Sequence, residues 1–576
     1  DGKVSFEGTG DELSFVAKSI TLEKTATLAI DTGTSGLTPG DTLEYQLEMA
    51  LSDYFAFGED TQLEGQFIVT DTLGNGQTLE GTPTLILYSG DDATTIDLVV
   101  TTSVNADGTT TLGFDIAQSI ENALGDQAWL AGDAAFDGVI DAGATRAVIS
   151  YRAVIDDAYA NVTDHPAINE GDSLGNAAEV DATLLLNPNN LTGESETDDS
   201  STELTVPTGQ VDIAIEGGVS ELAPGDQVTF TLRYELVTGD HENFQLIAYL
   251  PLPLLDTSGI SWTEGTGPGQ WSLGPDNSWA GDITSVASGP GNAIIFTLAD
   301  LTTTEASTIA LSFTMTVGDQ PFADGRSLDV LAESRQTTTL DKTELVTQDV
   351  VKVQSVAEPV VTITHGVVSS TNGSVSGTSG SWNAPGTAGA PFTGSITDPA
   401  AVDGDVTDID AGDTLRLATL LENTGGGGAF DVTTEIELPT DLAFVGGSLG
   451  GANLTLTLGD GSVLIEGTDY SVSGNTITLL DDSGQATLQA GRDGSASDAA
   501  GTNIIVITYD VTVAAAVSAS RTLGTTATLT NYASVDGGTD FTPTDLDDDA
   551  TQQVAAPTIT TTFAVGGDAT DDDSSE

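Results

Sequence analysis

Short runs of alternating apolar and polar residues, many of them β-branched or aromatic, recur along the whole chain. Clear examples are RAVISYRAVI (146–155), TIALSFTMTV (308–317) and NIIVITYDVTV (503–513). Gly, Asp, Asn and Pro separate these runs, and a two-residue period between turn residues is typical of strands with one buried face. The pattern predicts an all-β protein made of β-sandwiches, in which Tyr151, Phe313 and Tyr509 are core aromatics.

A Gly-Asp step that leads into such a run occurs three times. The copies are LTPGDTLEYQL (37–47), LAPGDQVTFTL (222–232) and DIDAGDTLRLATL (408–420), and their glycines Gly40, Gly225 and Gly412 lie 185 and 187 residues apart. A recurrence this even indicates tandem copies of one unit. We place the units at 19–195, 205–355 and 358–553.

The remaining segments follow from that division. Residues 1–18 are expected to be the tail of a preceding domain, and 557–576 a linker with the first strand of a following one. Each unit exceeds the ~100 residues of a minimal sandwich, so long loop insertions are expected. A short helix near Ala117 and a Gly/Ser-rich loop from Ser369 are the clearest of them.

Charge and composition narrow the function. The chain has 88 Asp and Glu against 13 Lys and Arg, a net charge of -75, so nucleic acid and anionic membrane surfaces are disfavoured as partners. No apolar run is long enough for membrane insertion. Cysteine is absent and the three histidines fall in different units, which argues against thiolate and zinc sites. No catalytic constellation for an external substrate is apparent, so the sequence predicts a protein that is not an enzyme.

Acidic runs occupy 193–203, 545–551 and 568–576. They are interpreted either as solvated linkers or as calcium-binding joints between units, because Ca²⁺ prefers several carboxylate ligands. Ca²⁺ is the one cofactor considered, and none is certain. The candidate ligands are Asp403, Asp405, Asp408, Asp410, Asp545, Asp547, Asp548 and Asp549.

A Gly-rich stretch of the second unit, SWTEGTGPGQWSLGPDNSW (261–279), carries three tryptophans. Trp262, Trp271 and Trp279 form a candidate ligand-binding loop, because aromatic rings stack on sugar faces. The favoured interpretation is an aromatic plug that closes one end of a sandwich.

Four motifs of the first unit, SITLEKTATL, PGDTLEYQL, FIVTDTLGNGQTL and GNAAEVDATL, resemble the isopeptide-forming repeat domains of bacterial fimbrial and large adhesin-type surface proteins. The resemblance covers the first unit well, whereas the other two share mainly the Gly-Asp turn and the closing strands. It implies tandem immunoglobulin-like β-sandwiches. It also implies an intramolecular isopeptide bond between Lys24 and Asn176, assisted by Asp71.

That chemistry requires a neutral lysine and a protonated acid, and burial favours both forms. The second unit has no lysine on its opening strand. The third has His365 and no lysine there, although Asn531 stands in a motif that resembles the one around Asn176. Any cross-link is therefore expected in the first unit alone.

The sequence predicts a structural or adhesive segment of a large secreted bacterial surface protein: a stalk, fimbria or fibre at the extracellular cell surface. Its expected partners are neighbouring repeats of the same chain, identical chains, or a cell-surface glycan or protein. Two alternatives stay open. One is a glycan- or protein-binding module that uses the Trp-rich loop, and the other is a subunit of a self-assembling filament or lattice.

Overall fold

The protein forms tandem two-sheet β-sandwiches. The computed structural model describes residues 3–6, 13–16, 20–33, 35–51, 55, 67–89, 92–124, 145–187, 190–218, 221–303, 306–340, 342–353, 356–377, 402–482, 484–492 and 495–562. Among these residues, three large hydrophobic cores lie within 20–206, 211–356 and 361–554, here called the first, second and third sandwiches. A smaller fourth cluster, which includes Val402 and Leu420, also lies within the third range. Before them, β1 (Lys3–Phe6) and β2 (Leu13–Val16) pair as an antiparallel hairpin. The all-β prediction is confirmed.

Within the described residues, the first sandwich contains ten strands and one helix. They are β3 (Ile20–Ile30), β4 (Thr42–Leu51), β5 (Phe67–Leu73), β6 (Gln77–Ser89), β7 (Asp92–Asp97), β8 (Val99–Val104), β9 (Thr110–Asp115), α1 (Ile116–Leu124), β10 (Thr145–Ile155), β11 (Ser173–Asn187) and β12 (Asn190–Thr205). One sheet has the order β3-β4-β10-β6-β7, and the other β12-β11-β5-β9-β8. The helix α1 is the one that the sequence predicts near Ala117.

In the part of the second sandwich that the structure describes there are eleven strands. They are β13 (Val211–Ile215), β14 (Gln227–Leu236), β15 (Gly239–Tyr249), β16 (Thr263–Glu264), β17 (Gln270–Leu273), β18 (Ile283–Gly289), β19 (Ala293–Leu298), β20 (Leu301–Thr303), β21 (Ser307–Thr316), β22 (Leu328–Thr337) and β23 (Glu344–Val353). The sheet orders are β13-β14-β21-β17-β16 and β18-β19-β15-β22-β23, with β20 paired to β15.

The described ranges of the third sandwich hold twelve strands and a one-turn helix. They are β24 (Val361–Ser370), β25 (Ser374–Ser376), β26 (Asp405–Ile409), β27 (Thr414–Asn423), β28 (Phe430–Glu437), β29 (Leu442–Phe444), β30 (Leu454–Leu458), β31 (Tyr470–Ser473), β32 (Thr476–Leu479), α2 (Ala496–Ala500), β33 (Ile504–Val513), β34 (Thr522–Ala533) and β35 (Leu546–Val554). One sheet has the order β24-β27-β33-β29, with β30 also on β33, and the other β25-β26-β35-β34-β28-β32-β31.

The three Gly-Asp steps form the same corner in all three sandwiches. The glycines Gly40, Gly225 and Gly412 have φ of 93°, 86° and 87°, a left-handed conformation that favours glycine. The aspartate that follows each of them accepts a hydrogen bond from the backbone N–H three residues earlier, as in Thr38 N to Asp41 Oδ2 at 2.7 Å. The backbone N–H of each glycine also donates a hydrogen bond to a carbonyl at the end of the third strand in the sheet order. The acceptors are Ile155, Val317 and Val513, respectively. The repeat inferred from sequence is therefore one structural device used three times.

The acidic runs at 193–203 and 545–551 form strands, so the interpretation of these runs as linkers is wrong. They belong to β12 and β35, the last strands of their sandwiches, and the boundary proposed at 195 falls inside β12. Side chains of these strands accept hydrogen bonds from backbone N–H groups of the opening strand. Asp198 Oδ2 binds Leu22 N at 2.7 Å, and Asp548 Oδ2 binds His365 N at 2.6 Å. We call this contact between the first and last strands the seam. The run at 568–576 lies outside the described residues.

Direct polar contacts join neighbouring sandwiches. At the first joint the buried Glu170 accepts a hydrogen bond from Tyr234 Oη at 2.7 Å, and Asp172 Oδ1 accepts one from Thr339 N at 2.8 Å. At the second joint Arg492 of the third sandwich pairs with Asp324 and Glu221 of the second. The sandwiches thus meet through specific side chains in addition to the covalent chain.

The second joint also contains a buried carboxyl group, that of Glu358. Within the part of the chain that the structure describes, neither of its carboxylate oxygens has a hydrogen-bond partner. Burial raises the pKa of Glu358 to about 8, and the negative charges of Asp324 and Asp319 add to the shift. The Glu358 side chain is accordingly protonated at neutral pH.

Candidate functional site

The structure brings Lys24, Asp71 and Asn176 together inside the first sandwich. Lys24 is on β3, where Ile20, Leu22 and Lys24 alternate inward. The other two lie on the neighbouring strands β5 and β11 of the opposite sheet, where Asn176 pairs with Leu73 and Asp71 pairs with Ala178. The amine therefore reaches the acid and the amide across the core.

The backbone just after β5 lies close to the part of β11 that carries Asn176. A Cβ added at Gly74, just after β5, would lie 2.2 Å from the carbonyl oxygen of Gly175, so this position requires glycine. The Gly175 carbonyl also accepts a hydrogen bond from Gln77 Nε2 at 3.2 Å. These contacts hold the amide of Asn176 at the end of the sheet.

The three side chains form one buried polar cluster. Lys24, Asp71 and Asn176 are 5%, 0% and 3% exposed. The Lys24 Nζ atom is in direct contact with Asp71 Oδ2. It also donates to the hydroxyl of Tyr151 at 3.1 Å, and Asn176 Nδ2 donates to the same hydroxyl at 2.7 Å. We call these four residues the polar quartet.

Burial governs the protonation of the quartet. It lowers the pKa of Lys24, and the charge of Asp71 opposes this shift only in part. It also raises the pKa of Asp71, against the opposing effect of Lys24 and the hydrogen bond from Tyr151. Both shifts favour a neutral amine beside a neutral carboxylic acid. A neutral amine is a nucleophile, and a neutral acid can donate a proton.

Two oxygens of the quartet lack hydrogen-bond partners among the described residues: Asp71 Oδ1 and Asn176 Oδ1. Unpaired buried oxygens are costly, and two acceptors cannot satisfy each other. A proton on Asp71 Oδ1, which the burial of this carboxyl group favours, would turn one of the two unpaired acceptors into a donor.

Tyr151 is the member of the quartet that the sequence did not reveal as functional. Its strand and burial are as predicted, since it lies in the core on β10. The hydroxyl, however, also donates to Asp71 Oδ2 at 2.9 Å and so touches all three other members. The residue type alone gave no signal, because Tyr509 carries a hydroxyl at the corresponding position of the third sandwich, where no lysine accompanies it.

Two observations identify the positions that correspond to Lys24. The cross-strand partners of Lys24, Ile213 and His365 each lie seven residues after the corner glycine. In addition, the backbone N–H of each binds a seam side chain: Ser200, Asp349 and Asp548, respectively. The Lys24 position is therefore occupied by Ile213 in the second sandwich and by His365 in the third.

The corresponding quartets contain no lysine. In the second sandwich all four positions are apolar and buried: Ile213, Ala248, Phe313 and Val330. In the third they are His365, Ile436, Tyr509 and Thr525, also buried. Glu435 and Glu437 point outward on either side of Ile436.

Asn531 does not occupy the position of Asn176, contrary to the sequence comparison. The corresponding residue on β34 is Thr525, six residues earlier, which pairs with Ala550 as Asn176 pairs with Thr202. Asn531 instead donates from Nδ2 to the carbonyl of Asp431 at 2.8 Å.

The candidate calcium ligands do not converge. Asp405 Oδ1 accepts a hydrogen bond from Thr551 N, and Asp549 bonds to the Thr526 hydroxyl. Asp548 belongs to the seam. The remaining candidates are Asp403, Asp408, Asp410, Asp545 and Asp547. In the described ranges, no group of three or more His, Cys, Asp or Glu side chains is placed to hold a metal ion. Calcium binding stays a prediction.

The Trp-rich stretch packs onto the core of the second sandwich. Trp262 and Trp279 are 8% and 7% exposed, and Trp271 is half-buried with its ring 6.1 Å from that of Phe296. Trp262 Nε1 donates to Ser288 Oγ at 3.2 Å. Rings buried in this way offer little face to a sugar, which favours the plug over the glycan-binding loop.

No family model matches the chain, and no curated protein matches it. Solved structures do match. The T6 backbone pilin of Streptococcus pyogenes is 12% identical, with 64% of this chain and 56% of that chain covered and a TM-score of 0.20. The match thus spans little more than half of that pilin.

Two further solved structures match at similarly low sequence identity and TM-score. A 35 kDa C-terminal fragment of the major pilin of Streptococcus agalactiae is 14% identical, covering 57% of this chain and 90% of that chain, with a TM-score of 0.21. The collagen-binding domain of a Staphylococcus aureus adhesin is 12% identical, covering 32% and 96%, with a TM-score of 0.17.

Among the residues that the structure describes, no helix has both the length and the apolar character to cross a bilayer.

Proposed function

We propose that the chain is a load-bearing segment of a bacterial surface fibre or adhesin stalk, and that its first sandwich is closed by an isopeptide bond between Lys24 and Asn176. The observation that carries the proposal is the buried contact of Lys24 with Asp71 and, through Tyr151, with Asn176. A lysine buried so deeply needs a reason, because burying an amine beside an acid seldom adds stability.

The reaction balances without an external reactant. The neutral Nζ of Lys24 attacks Cγ of Asn176, the Nζ–Cγ bond forms and the Cγ–Nδ2 bond breaks. One amine proton is transferred to Nδ2, which leaves as ammonia, and Asp71 ends in the protonation state in which it began. A surface groove lined in part by Gly74, Gly175 and Asn176 gives ammonia a route to solvent.

The bond would tie β3, the opening strand, to β11, the strand before the last. Force applied along the chain would then pass through the cross-link and leave the strands between them unloaded. The polar joints at Glu170 and Arg492 would transmit the same force between sandwiches. The high acidity suits a protein that stays soluble and unaggregated outside the cell.

Intact-mass spectrometry tests the bond. The chain should weigh about 17 Da less than its sequence predicts, the mass of one ammonia, and digestion should yield a linked peptide pair that contains Lys24 and Asn176. Lys24→Ala and Asn176→Ala should both restore the full mass. Lys352→Ala is the matched control, since its side chain is 64% exposed on β23, and it should keep the deficit. An unmodified wild-type mass would overturn the bond.

Two measurements test the role in a fibre. In single-molecule extension, the segment 24–176 of the wild-type first sandwich should not lengthen, whereas in Lys24→Ala the same segment should unfold as a separate event. Antibodies against the chain should label intact, unpermeabilised cells of the bacterium that produces it. Labelling only after permeabilisation would contradict a surface location.

A further inference from the structure

The hydroxyl of Tyr151 makes contacts that packing does not require. Phe313 occupies the same strand position in the second sandwich and is 1% exposed, so a phenyl ring alone fills this place in the core. Both aromatics pack on an aromatic residue of the neighbouring strand: Tyr151 on Tyr45 at 5.2 Å and Phe313 on Phe230 at 5.4 Å. Tyr509 carries a hydroxyl at the same position of the third sandwich without a lysine beside it, so it is the contacts of the Tyr151 hydroxyl, and not its presence alone, that indicate another role.

That oxygen lies between the two nitrogens that the proposed reaction exchanges. The Lys24 Nζ is 3.1 Å from it and the Asn176 Nδ2 is 2.7 Å from it. Its own proton points to Asp71 Oδ2 at 2.9 Å, the carboxylate oxygen that Lys24 also contacts. An unbroken line of contacts thus runs from the amine through Asp71 and Tyr151 to the leaving nitrogen.

We propose that Tyr151 is a further catalytic residue of the isopeptide reaction, which holds Nδ2 of Asn176 and supplies the proton with which it leaves. This inference rests on the function proposed above. As the Cγ–Nδ2 bond breaks, the tyrosine hydroxyl gives its proton to Nδ2 and receives one from Asp71 Oδ2. Asp71 in turn receives one from Lys24 Nζ, so that ammonia departs and both relay groups are restored.

The direction of proton transfer follows from the conversion of Asn176 Nδ2 from an amide nitrogen into an amine. In the resting amide this nitrogen is a donor, as its bond to Tyr151 shows. After attack it becomes an amine with a free lone pair, and the same contact can then carry a proton in the opposite direction. Burial raises the pKa of Tyr151 well above its ordinary value, so the hydroxyl stays protonated and ready to donate.

The test uses Tyr151→Phe in the full chain. The chain is made by cell-free synthesis, quenched at intervals in denaturant and weighed. Loss of the relay should slow appearance of the mass deficit by on the order of 10²-fold, the lower end of what general acid–base catalysis contributes. Tyr509→Phe is the matched control. It removes a buried hydroxyl at the same strand position of the third sandwich and should leave the rate unchanged.

The pH profile separates a relay from a packing defect. In the wild type the proton passes internally, so the rate should be nearly constant between pH 6 and 9. In Tyr151→Phe the leaving nitrogen must take its proton from solvent, and the rate should fall as pH rises. A uniform reduction at every pH would assign Tyr151 a structural role only and overturn the proposal.

The remaining outcomes distinguish the two proposals. If the wild type forms the bond and Tyr151→Phe forms it at the wild-type rate, the relay is wrong and the cross-link stands. If the wild type shows no mass deficit, the cross-link is wrong and the relay falls with it. Pulse proteolysis of each variant shows that the first sandwich is folded when the bond is measured.

Discussion

His365 makes the third sandwich sensitive to acid. Its side chain is fully buried and lies between two hydroxyls, with Nδ1 2.9 Å from Thr419 Oγ1 and Nε2 3.1 Å from Thr525 Oγ1. Burial lowers its pKa to about 4, against a weaker opposing effect of the Ala418 backbone and the charge of Asp549. The imidazole is therefore neutral in the folded protein at every pH at which the protein is expected to work.

The direction of this pKa shift determines whether the third sandwich gains or loses stability as the pH falls. The unfolded chain takes up a proton at the ordinary histidine pKa of about 6.5, whereas the folded protein does so only near 4. Stability is therefore fully present above pH 6.5 and is lost as the pH falls towards 4. At about 1.4 kcal/mol per pKa unit, the loss is about 2 kcal/mol at pH 5 and about 3 kcal/mol below pH 4.

The replacement His365→Gln tests this reasoning, because glutamine keeps a donor and an acceptor but cannot be charged. Urea unfolding at pH 7, 6 and 5, followed by pulse hydrogen exchange, reports peptides of the third sandwich separately. The gap in unfolding free energy between wild type and variant should shrink by about 2 kcal/mol from pH 7 to 5. His165→Gln, an exposed loop position, is the control. Parallel curves for wild type and His365→Gln would refute the argument.

Two other sets of buried ionisable side chains, the Arg416–Asp510 pair and Glu358, give further predictions about stability. Arg416→Met leaves the buried Asp510 without its two-bond partner, at 2.8 and 3.1 Å, and should cost the third sandwich about 3–5 kcal/mol in urea unfolding. The double variant with Asp510→Leu should recover most of that loss, and failure to recover would contradict the assignment. Because burial and like charges raise the pKa of Glu358 to about 8, the second joint should be most stable below about pH 4.5 and should lose stability as the pH rises towards 8. Glu358→Gln should abolish this dependence in hydrogen exchange of the joint, and an unchanged pH profile would disprove it.

Features set by neighbouring residues could be predicted from the sequence. The strands around Tyr151, Phe313 and Tyr509 follow from their two-residue period. The Gly-Asp corner also depends on local geometry, a positive φ followed by a carboxylate that binds the backbone three residues earlier. Both recur in all three sandwiches as expected. The short helix at Ile116–Leu124 was found for the same reason.

Features set by contacts between distant strands could not be predicted in the same way. The resemblance named Lys24, Asp71 and Asn176, but the bridge through Tyr151 depends on how two sheets face each other. Asn531 shows the limit of motif comparison: its surroundings resemble those of Asn176, yet the pairing of β34 places Thr525 there. A displacement along a strand leaves the local pattern intact and changes the position in space.

The strand β12 was missed because its composition is that of a linker. Between Gly193 and Glu203 it has no apolar side chain, so no alternation marks a buried face there. The structure shows the reason for this polarity. Asp198 and Ser200 bind backbone N–H groups of β3 rather than solvent, and this use of a carboxylate leaves no trace in a hydrophobic pattern.

The seam has a consequence for molecules packed side by side. An exposed outer strand usually presents free N–H groups on which a neighbouring copy can add a strand, the first step of amyloid-like association. Here the chain's own aspartates already occupy N–H groups along the outer strands β3, β13 and β24, and they surround that border with negative charge. Many copies could thus lie side by side at high density without pairing with one another along these edge strands.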